Sequence, residues 1–222
     1  SGWATRESFV GLEGGFGKVR AGKLNTQLKD MDKIDPWEYK NPALGLGVFT
    51  RTGERVVSAR YDSPVFAGFS ANVQFTPRDN QPETGRNTNY SDTSAYYAGL
   101  NYENSGFFAQ YGGAFKKSAY VGDNNKGKTG HAHQVQAGYD ANNIFAALGY
   151  QYTNGWDTVG TYRAALAGLD KDADKDDYDA LVRDTRRIKT HELAVTGAYR
   201  FGNVTPRVSY AHGFKAKGKN LN

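Results

Sequence analysis

Seven charged residues within the first sixty positions could act together. Lys18, Arg20, Lys23 and Arg60 lie in alternating runs on either side of a long stretch that carries Asp35, Glu38 and Glu54. Their chemistry would be electrostatic rather than bond-making. Fixed cations facing fixed anions across a narrow aqueous gap set up a transverse field that orders polar solutes and disfavours apolar ones. The same charges could equally tie the acidic stretch to its flanking strands as salt bridges. Lys18, Arg20 and Arg60 share the polar parity of their runs, whereas Lys23 has the opposite parity and joins them only if Gly22 permits a bulge.

Reactive chemistry finds little support. The chain has no Cys and no G-x-S-x-G, and no nucleophile stands out. Gly14-Gly15-Phe16-Gly17-Lys18-Val19 imitates a glycine-rich phosphate loop. Leu12 stands where that pattern needs Gly, and the later motifs of such enzymes are missing, so the run reads as a hairpin turn. Asp170-Lys171-Asp172-Ala173-Asp174 starts like a calcium loop, but Lys175 replaces the turn Gly and Leu181 the terminal Glu, which leaves a solvated loop. His131 and His133 could hold a metal, yet no third ligand lies nearby in sequence, and they read as a junction between loop and strand. No enzymatic activity, cofactor or metal is expected.

The elements that must position the charges are strands. The 27 glycines, 15 tyrosines and 12 phenylalanines, against one Met, favour many short strands joined by turns, an all-β class in a single domain. Period-two alternation recurs in about ten segments. The first four are Arg6 to Gly14, Lys18 to Leu24, Arg55 to Asp62 and Phe69 to Thr76, the last being the clearest. Connections alternate between short turns, such as Glu103 to Gly106 and Asp140 to Asn143, and long loops. The long ones are Asn25 to Glu54, Pro77 to Thr93, Lys117 to Ala132 and Thr153 to Ile188. Sorting of this kind puts every long loop at one end of the sheet, as in outer-membrane barrels. A segment as long as Asn25 to Glu54 without helix or strand period is more often functional than idle, and it is expected to fold into the lumen and narrow it.

Alternation does not say which face is wet, because soluble and membrane barrels share the period. Residue types do. The polar faces hold Gln, Asn, Ser, Thr, Gly and a few Arg rather than the Lys and Glu of a bulk-water surface, and the apolar faces place Phe or Tyr near strand ends, as two aromatic girdles would. No apolar run approaches the roughly 20 residues of a spanning helix, so a membrane role must use strands. A net charge of +5, from 28 basic and 23 acidic residues scattered together, is a weak argument for a polyanionic partner, and no nucleic acid is expected.

These residues carry a resemblance. Ser1-Gly2-Trp3, Glu7-Ser8-Phe9-Val10-Gly11-Leu12, Gly14 to Arg20, Asp35-Pro36-Trp37, Arg60-Tyr61-Asp62-Ser63-Pro64, Gly106 to Gly113 and the long run Tyr199 to Phe214 resemble the neisserial-type trimeric outer-membrane porins of β-proteobacteria. The resemblance covers the chain apart from its variable long loops. Val65 departs from it, standing where the family usually has Glu. It implies a 16-stranded antiparallel transmembrane β-barrel of which residues 1–222 supply about strands four to thirteen, with 25–54 as the inward-folding constriction loop. On that implication the sequence is a partial one, lying in the bacterial outer membrane. The expected partners are outer-membrane lipids and lipopolysaccharide, two further copies in a homotrimer, and the small ions and hydrophilic solutes that diffuse through. A surface-exposed adhesin barrel or a soluble ligand-binding barrel is the competing reading.

Overall fold

The computed structural model describes residues 6–32, 34, 49–77, 94–121, 127–169, 173–214 and 217–218. Ten antiparallel strands lie in chain order in one sheet, each paired to its predecessor. They are β1 (Ser8–Gly14), β2 (Gly17–Asn25), β3 (Arg55–Asp62), β4 (Phe69–Thr76), β5 (Ala95–Asn104), β6 (Phe107–Val121), β7 (Gly127–Ala141), β8 (Ile144–Thr158), β9 (Arg187–Tyr199) and β10 (Arg207–Gly213). A two-residue β11 (Lys217–Gly218) pairs with β9 at Lys189 and Ile188, beyond the end of β10. Three hairpins turn on Ala67-Gly68, Ser105-Gly106 and Asn142-Asn143, where both residues have positive φ. That is the turn whose twist matches the right-handed twist of its strands.

The alternation sorts the two faces in the inverse of a water-soluble protein. Val19, Val73, Leu100, Val135, Leu148 and Val195 point outward and are exposed, Val73 by 58%. Their polar neighbours Gln74, Gln134, Gln136, Gln151 and Thr196 point inward and are buried. Pairs across the outer face are apolar or aromatic. Phe69 meets Tyr102 with ring centroids 4.5 Å apart, Phe75 meets Tyr96 at 5.1 Å and Phe107 meets Tyr139 at 4.9 Å. The facing of β1 follows from its register, since Val10 and Leu12 lie opposite the outward Ala21 and Val19.

Two connections differ from the sequence expectation. Lys117 to Ala132 is mostly strand, because β6 runs on to Val121 and β7 begins at Gly127. The pairing of β6 with β7 shifts register between Lys116 and Tyr120, where Ser118 has φ 53°. Four residue steps along β6 there stand against two along β7, so the alternation is interrupted although the strand is not. His131 and His133 therefore sit within β7 rather than at a junction. Thr153 to Ile188 likewise begins and ends as strand, and between β8 and β9 it forms two helices, α2 (Val159–Leu166) and α3 (Lys175–Val182). Thr158 and Thr161 close a reciprocal capping box at the start of α2.

The stretch from Asn25 to Glu54 leaves β2 through one helical turn, α1 (Gln27–Asp30), and returns to β3 through a 3₁₀ turn at Thr50–Thr52. Its apolar residues Leu28, Met31, Ile34 and Phe49 are buried against the inner face of the sheet. Glycines on that face make the room. A Cβ at Gly112 would lie 2.9 Å from Leu28 Cδ2, and one at Gly149 would lie 2.7 Å from Phe49 Cζ and 2.9 Å from Ile34 Cδ1.

Candidate functional site

The inner face and the segment that crosses it form the candidate site. Strand parity sends Gln, Thr, Arg and Glu side chains inward, and the segment offers them backbone carbonyls and its own polar groups. Gln134 Nε2 donates to the Phe49 carbonyl at 3.2 Å, Gln136 Nε2 to that of Met31 at 2.7 Å, and the Thr196 hydroxyl to that of Ile34 at 2.5 Å. The Thr52 hydroxyl donates to Gln151 Oε1 at 2.8 Å. Buried amides bonded in this way hold a loop in one place, because breaking any of them leaves a polar atom unsatisfied.

Three charge clusters anchor the segment. Near its start, Arg60 of β3 is only 5% exposed and donates to Asp30 at 2.7 Å, to Asp62 at 2.8 Å and to the Asn25 carbonyl at 2.9 Å. Arg20 of β2 reaches the other Asp62 oxygen at 2.9 Å and lies 5.3 Å from the centre of the Phe9 ring. Where the segment returns, Glu54 accepts from the Tyr97 hydroxyl at 2.9 Å and from the Lys116 ammonium. Lys116 in turn sits 3.6 Å from the centre of the Trp156 ring.

The third cluster surrounds Arg51 in the 3₁₀ turn. Its guanidinium binds Glu192 of β9 at 2.6 Å, Asp157 of β8 at 2.9 Å and the Thr190 hydroxyl at 2.9 Å, and it lies 4.9 Å from the centre of the Tyr162 ring on α2. Burial works against the Arg51 charge, but the carboxylates of Asp157 and Glu192 outweigh it and hold the group above its ordinary range. Burial, reinforced by the negative charge of Glu192, pushes the Tyr162 phenol up to about 12.

The predicted charges distribute unevenly over this frame. Arg60 and Glu54 lie in the clusters just described, and Arg20 shares Asp62 with Arg60. Lys18 stands apart, 41% exposed, with Glu13 of β1 at 3.4 Å. Lys23 keeps the outward parity. It pairs with Val57 in an unbroken register although Gly22 has φ 143°, so the bulge that would turn it inward is absent. Asp35 and Glu38 lie outside the described residues. Arg51, Lys116, Asp62, Asp157 and Glu192 are not among the charges that the sequence picks out. Lys116 and Glu192 stand on the polar parity of their strands, which was their one visible signal. Several inward oxygens, among them Asn72 Oδ1, Gln74 Oε1 and Gln110 Oε1, have no hydrogen-bond partner among the described residues. A wetted inner space is the environment that satisfies such atoms.

Comparisons with known proteins agree with this arrangement. Residues 1–222 match the Gram-negative porin family model. The chain is 46% identical to the major outer membrane protein P.IB of Neisseria sicca, over 97% of its own length and 59% of that protein. Against the protein of the same name from Neisseria meningitidis serogroup A, serotype 4A, identity is 44%, over 97% and 56% of the two chains. For that of Neisseria gonorrhoeae the values are 41%, 97% and 58%. The chain thus spans under three fifths of the length of these curated relatives. A solved structure of Salmonella typhi OmpF in complex with daunomycin superposes with a TM-score of 0.64 at 21% identity, over 97% of this chain and 60% of that one, and shares its fold.

Proposed function

The chain belongs to the Gram-negative porin family, and on that premise we propose that it builds the wall and the inward-folded loop of a water-filled outer-membrane channel for ions and small hydrophilic solutes. The observation that carries this reading is the inverted sheet. Its apolar side chains face outward, and its polar ones face a segment that crosses the inner face. A sheet with this polarity matches lipid outside and water inside.

In this reading Asn25 to Glu54 is the constriction. Arg51 and Glu54 within it, and Arg60 of β3 opposite, act chiefly as ties that fix the position of the segment against the wall. The electrostatic influence on passing ions falls to Lys18, which is more exposed than Arg20 or Arg60, and to its strand neighbour Arg20, with Asp35 and Glu38 as the acidic counterpart. The barrel has 16 strands and assembles as a homotrimer among outer-membrane lipids and lipopolysaccharide, with no cofactor and no enzymatic step. Support for this comes from membership of the family, and the period-two alternation of the sheet suits a lipid boundary.

The test is conductance of the full-length protein in planar bilayers. Stepwise, ohmic, long-lived increments are the expected result. A protein that partitions as a detergent-free soluble monomer, or that inserts without conducting, overturns the proposal in favour of a soluble or adhesive barrel.

A further inference from the structure

All four histidines of the chain, His131, His133, His191 and His212, lie on the outer face of β7, β9 and β10, and one pair of them is arranged for more than packing. His131 and His133 are two residues apart on β7, so both project from the same side of the sheet. His131 Nδ1 stands 3.1 Å from His133 Nε2, with the ring centroids 5.2 Å apart. The two nitrogens are the facing atoms of the two rings. We propose that they form a bidentate site for a late first-row divalent metal ion, of the Cu²⁺, Ni²⁺ or Zn²⁺ type, with water completing the coordination.

The spacing fits. At a metal–nitrogen distance of about 2.0–2.1 Å, two donors 3.1 Å apart subtend about 100° at the metal, between the square-planar and tetrahedral angles. The protonation pattern fits as well. The Tyr111 hydroxyl lies 2.7 Å from His133 Nδ1. When that nitrogen carries the proton and donates to the Tyr111 oxygen, the His133 Nε2 lone pair faces His131. A hydrogen bond from the other ring nitrogen is how metal-binding histidines are usually oriented and kept in one tautomer. Binding then requires the His131 proton to sit on Nε2, so that both facing nitrogens present lone pairs to the ion.

The position sets His131 close to the aqueous border. His131 is eight residues along β7 from Tyr139, the partner of Phe107 near the short turns. Eight residues at about 3.3 Å make about 26 Å, which in a strand tilted by about 40° rises roughly 20 Å through an apolar band about 25 Å tall. His131 therefore lies near the far border of that band, with His133 about 5 Å deeper, both beside Tyr152 and Phe115, and both rings are partly exposed on the outer face.

The neighbourhood also sets selectivity. Lys189 of β9 acts electrostatically on His131 and opposes any cation here. Among the described residues no cluster of three or more His, Cys, Asp or Glu is present. With two imidazoles and no carboxylate, the site has nothing for the hard ions Ca²⁺ and Mg²⁺ and favours Cu²⁺ over Ni²⁺ and Zn²⁺.

The experiment is Cu²⁺ titration of the full-length protein in detergent, followed by calorimetry and by electron paramagnetic resonance. Wild type is expected to bind one ion per protomer with superhyperfine coupling to two nitrogens. Tyr111→Phe should weaken binding by roughly tenfold without changing the number of coupled nitrogens. His131→Asn and His133→Asn should each reduce the coupling to one nitrogen or abolish binding, whereas His212→Asn should leave it intact. Far-UV circular dichroism and single-channel conductance of each variant report folding and the channel separately from the metal. Binding that survives the His131→Asn, His133→Asn double variant, or the absence of saturable binding in a folded, conducting wild-type protein, overturns the proposal.

Discussion

Arg51 and Glu192 are 141 positions apart in the chain and meet at 2.6 Å, joining the returning end of the inward segment to the ninth strand. The same guanidinium holds Asp157 and lies against Tyr162, so one side chain links the segment, two strands of the wall and the first helix of the β8–β9 connection. Removing it as Arg51→Met leaves Glu192 and Asp157 without their cation in a buried setting. Breaking a buried pair from one side costs about 3–5 kcal/mol. Thermal unfolding of the full-length protein is expected to shift downward accordingly, and single-channel records to become noisier as the segment loosens. In the double variant Arg51→Met, Glu192→Met much of the loss should be recovered, because no charge is then stranded on Glu192.

Gly149 is the seat for Phe49 and Ile34. Gly149→Val places two methyl groups where those side chains lie, and overpacking of this kind costs about 1–3 kcal/mol. The expected outcome is a displaced segment with the sheet intact, seen as altered unitary conductance and faster proteolysis within residues 25–54 at an unchanged far-UV spectrum. Unchanged conductance and proteolysis would show that the segment does not depend on this seat.

The contrast between these two positions shows what the sequence could reveal. Arg55–Asp62 and Phe69–Thr76 alternate without interruption and read as β3 and β4 to the residue, and the parity of Lys116, Arg60 and Glu192 was visible in the same way. Alternation is a local property, and it survives until an irregularity such as that at Ser118 interrupts it. Nothing local links Arg51 to Glu192 or Ile34 to Thr196. Those contacts exist because a segment without its own periodicity is laid across strands far away in the chain. The inward parity of Gly112 and Gly149 could be read, but their role as seats depends on which apolar side chains arrive above them.

Tyr162 offers a pH test. Burial first, and then the charge of Glu192, raise its phenol to about 12 from an ordinary value near 10. A raised folded-state value means that the neutral phenol is the form the fold favours. Its contribution is fully present below about pH 10 and is lost as pH rises through about 12. The difference between wild-type and Tyr162→Phe phenolate absorbance should therefore titrate about two pH units above an unperturbed tyrosine. A difference spectrum centred near pH 10 would mean that α2 does not dock on Arg51 in solution.

The roles assigned to the four basic residues separate by exposure. Arg60 is buried between Asp30 and Asp62, so Arg60→Glu gathers three carboxylates at one place and should both loosen the segment and shift selectivity toward cations. Lys18 is 41% exposed and Arg20 has 15% of its side chain exposed, and in the proposed channel their charges are the ones a passing ion senses. Lys18→Glu should move the reversal potential in a salt gradient toward that of a cation-selective channel with little change in thermal stability, since its one described ion partner, Glu13, is itself exposed and surface pairs contribute at most about 1 kcal/mol. Raising the ionic strength from about 0.1 M to about 1 M shortens the screening length from about 10 Å to about 3 Å and should shrink the Lys18 effect. Lys23, on the outward parity beside Val57, serves as the internal control, and Lys23→Gln should leave the reversal potential where it is. If Lys18→Glu and Arg20→Glu both leave the reversal potential unchanged at low salt, the basic wall acts only to hold the segment in place. Selectivity would then come from charges elsewhere in the lumen.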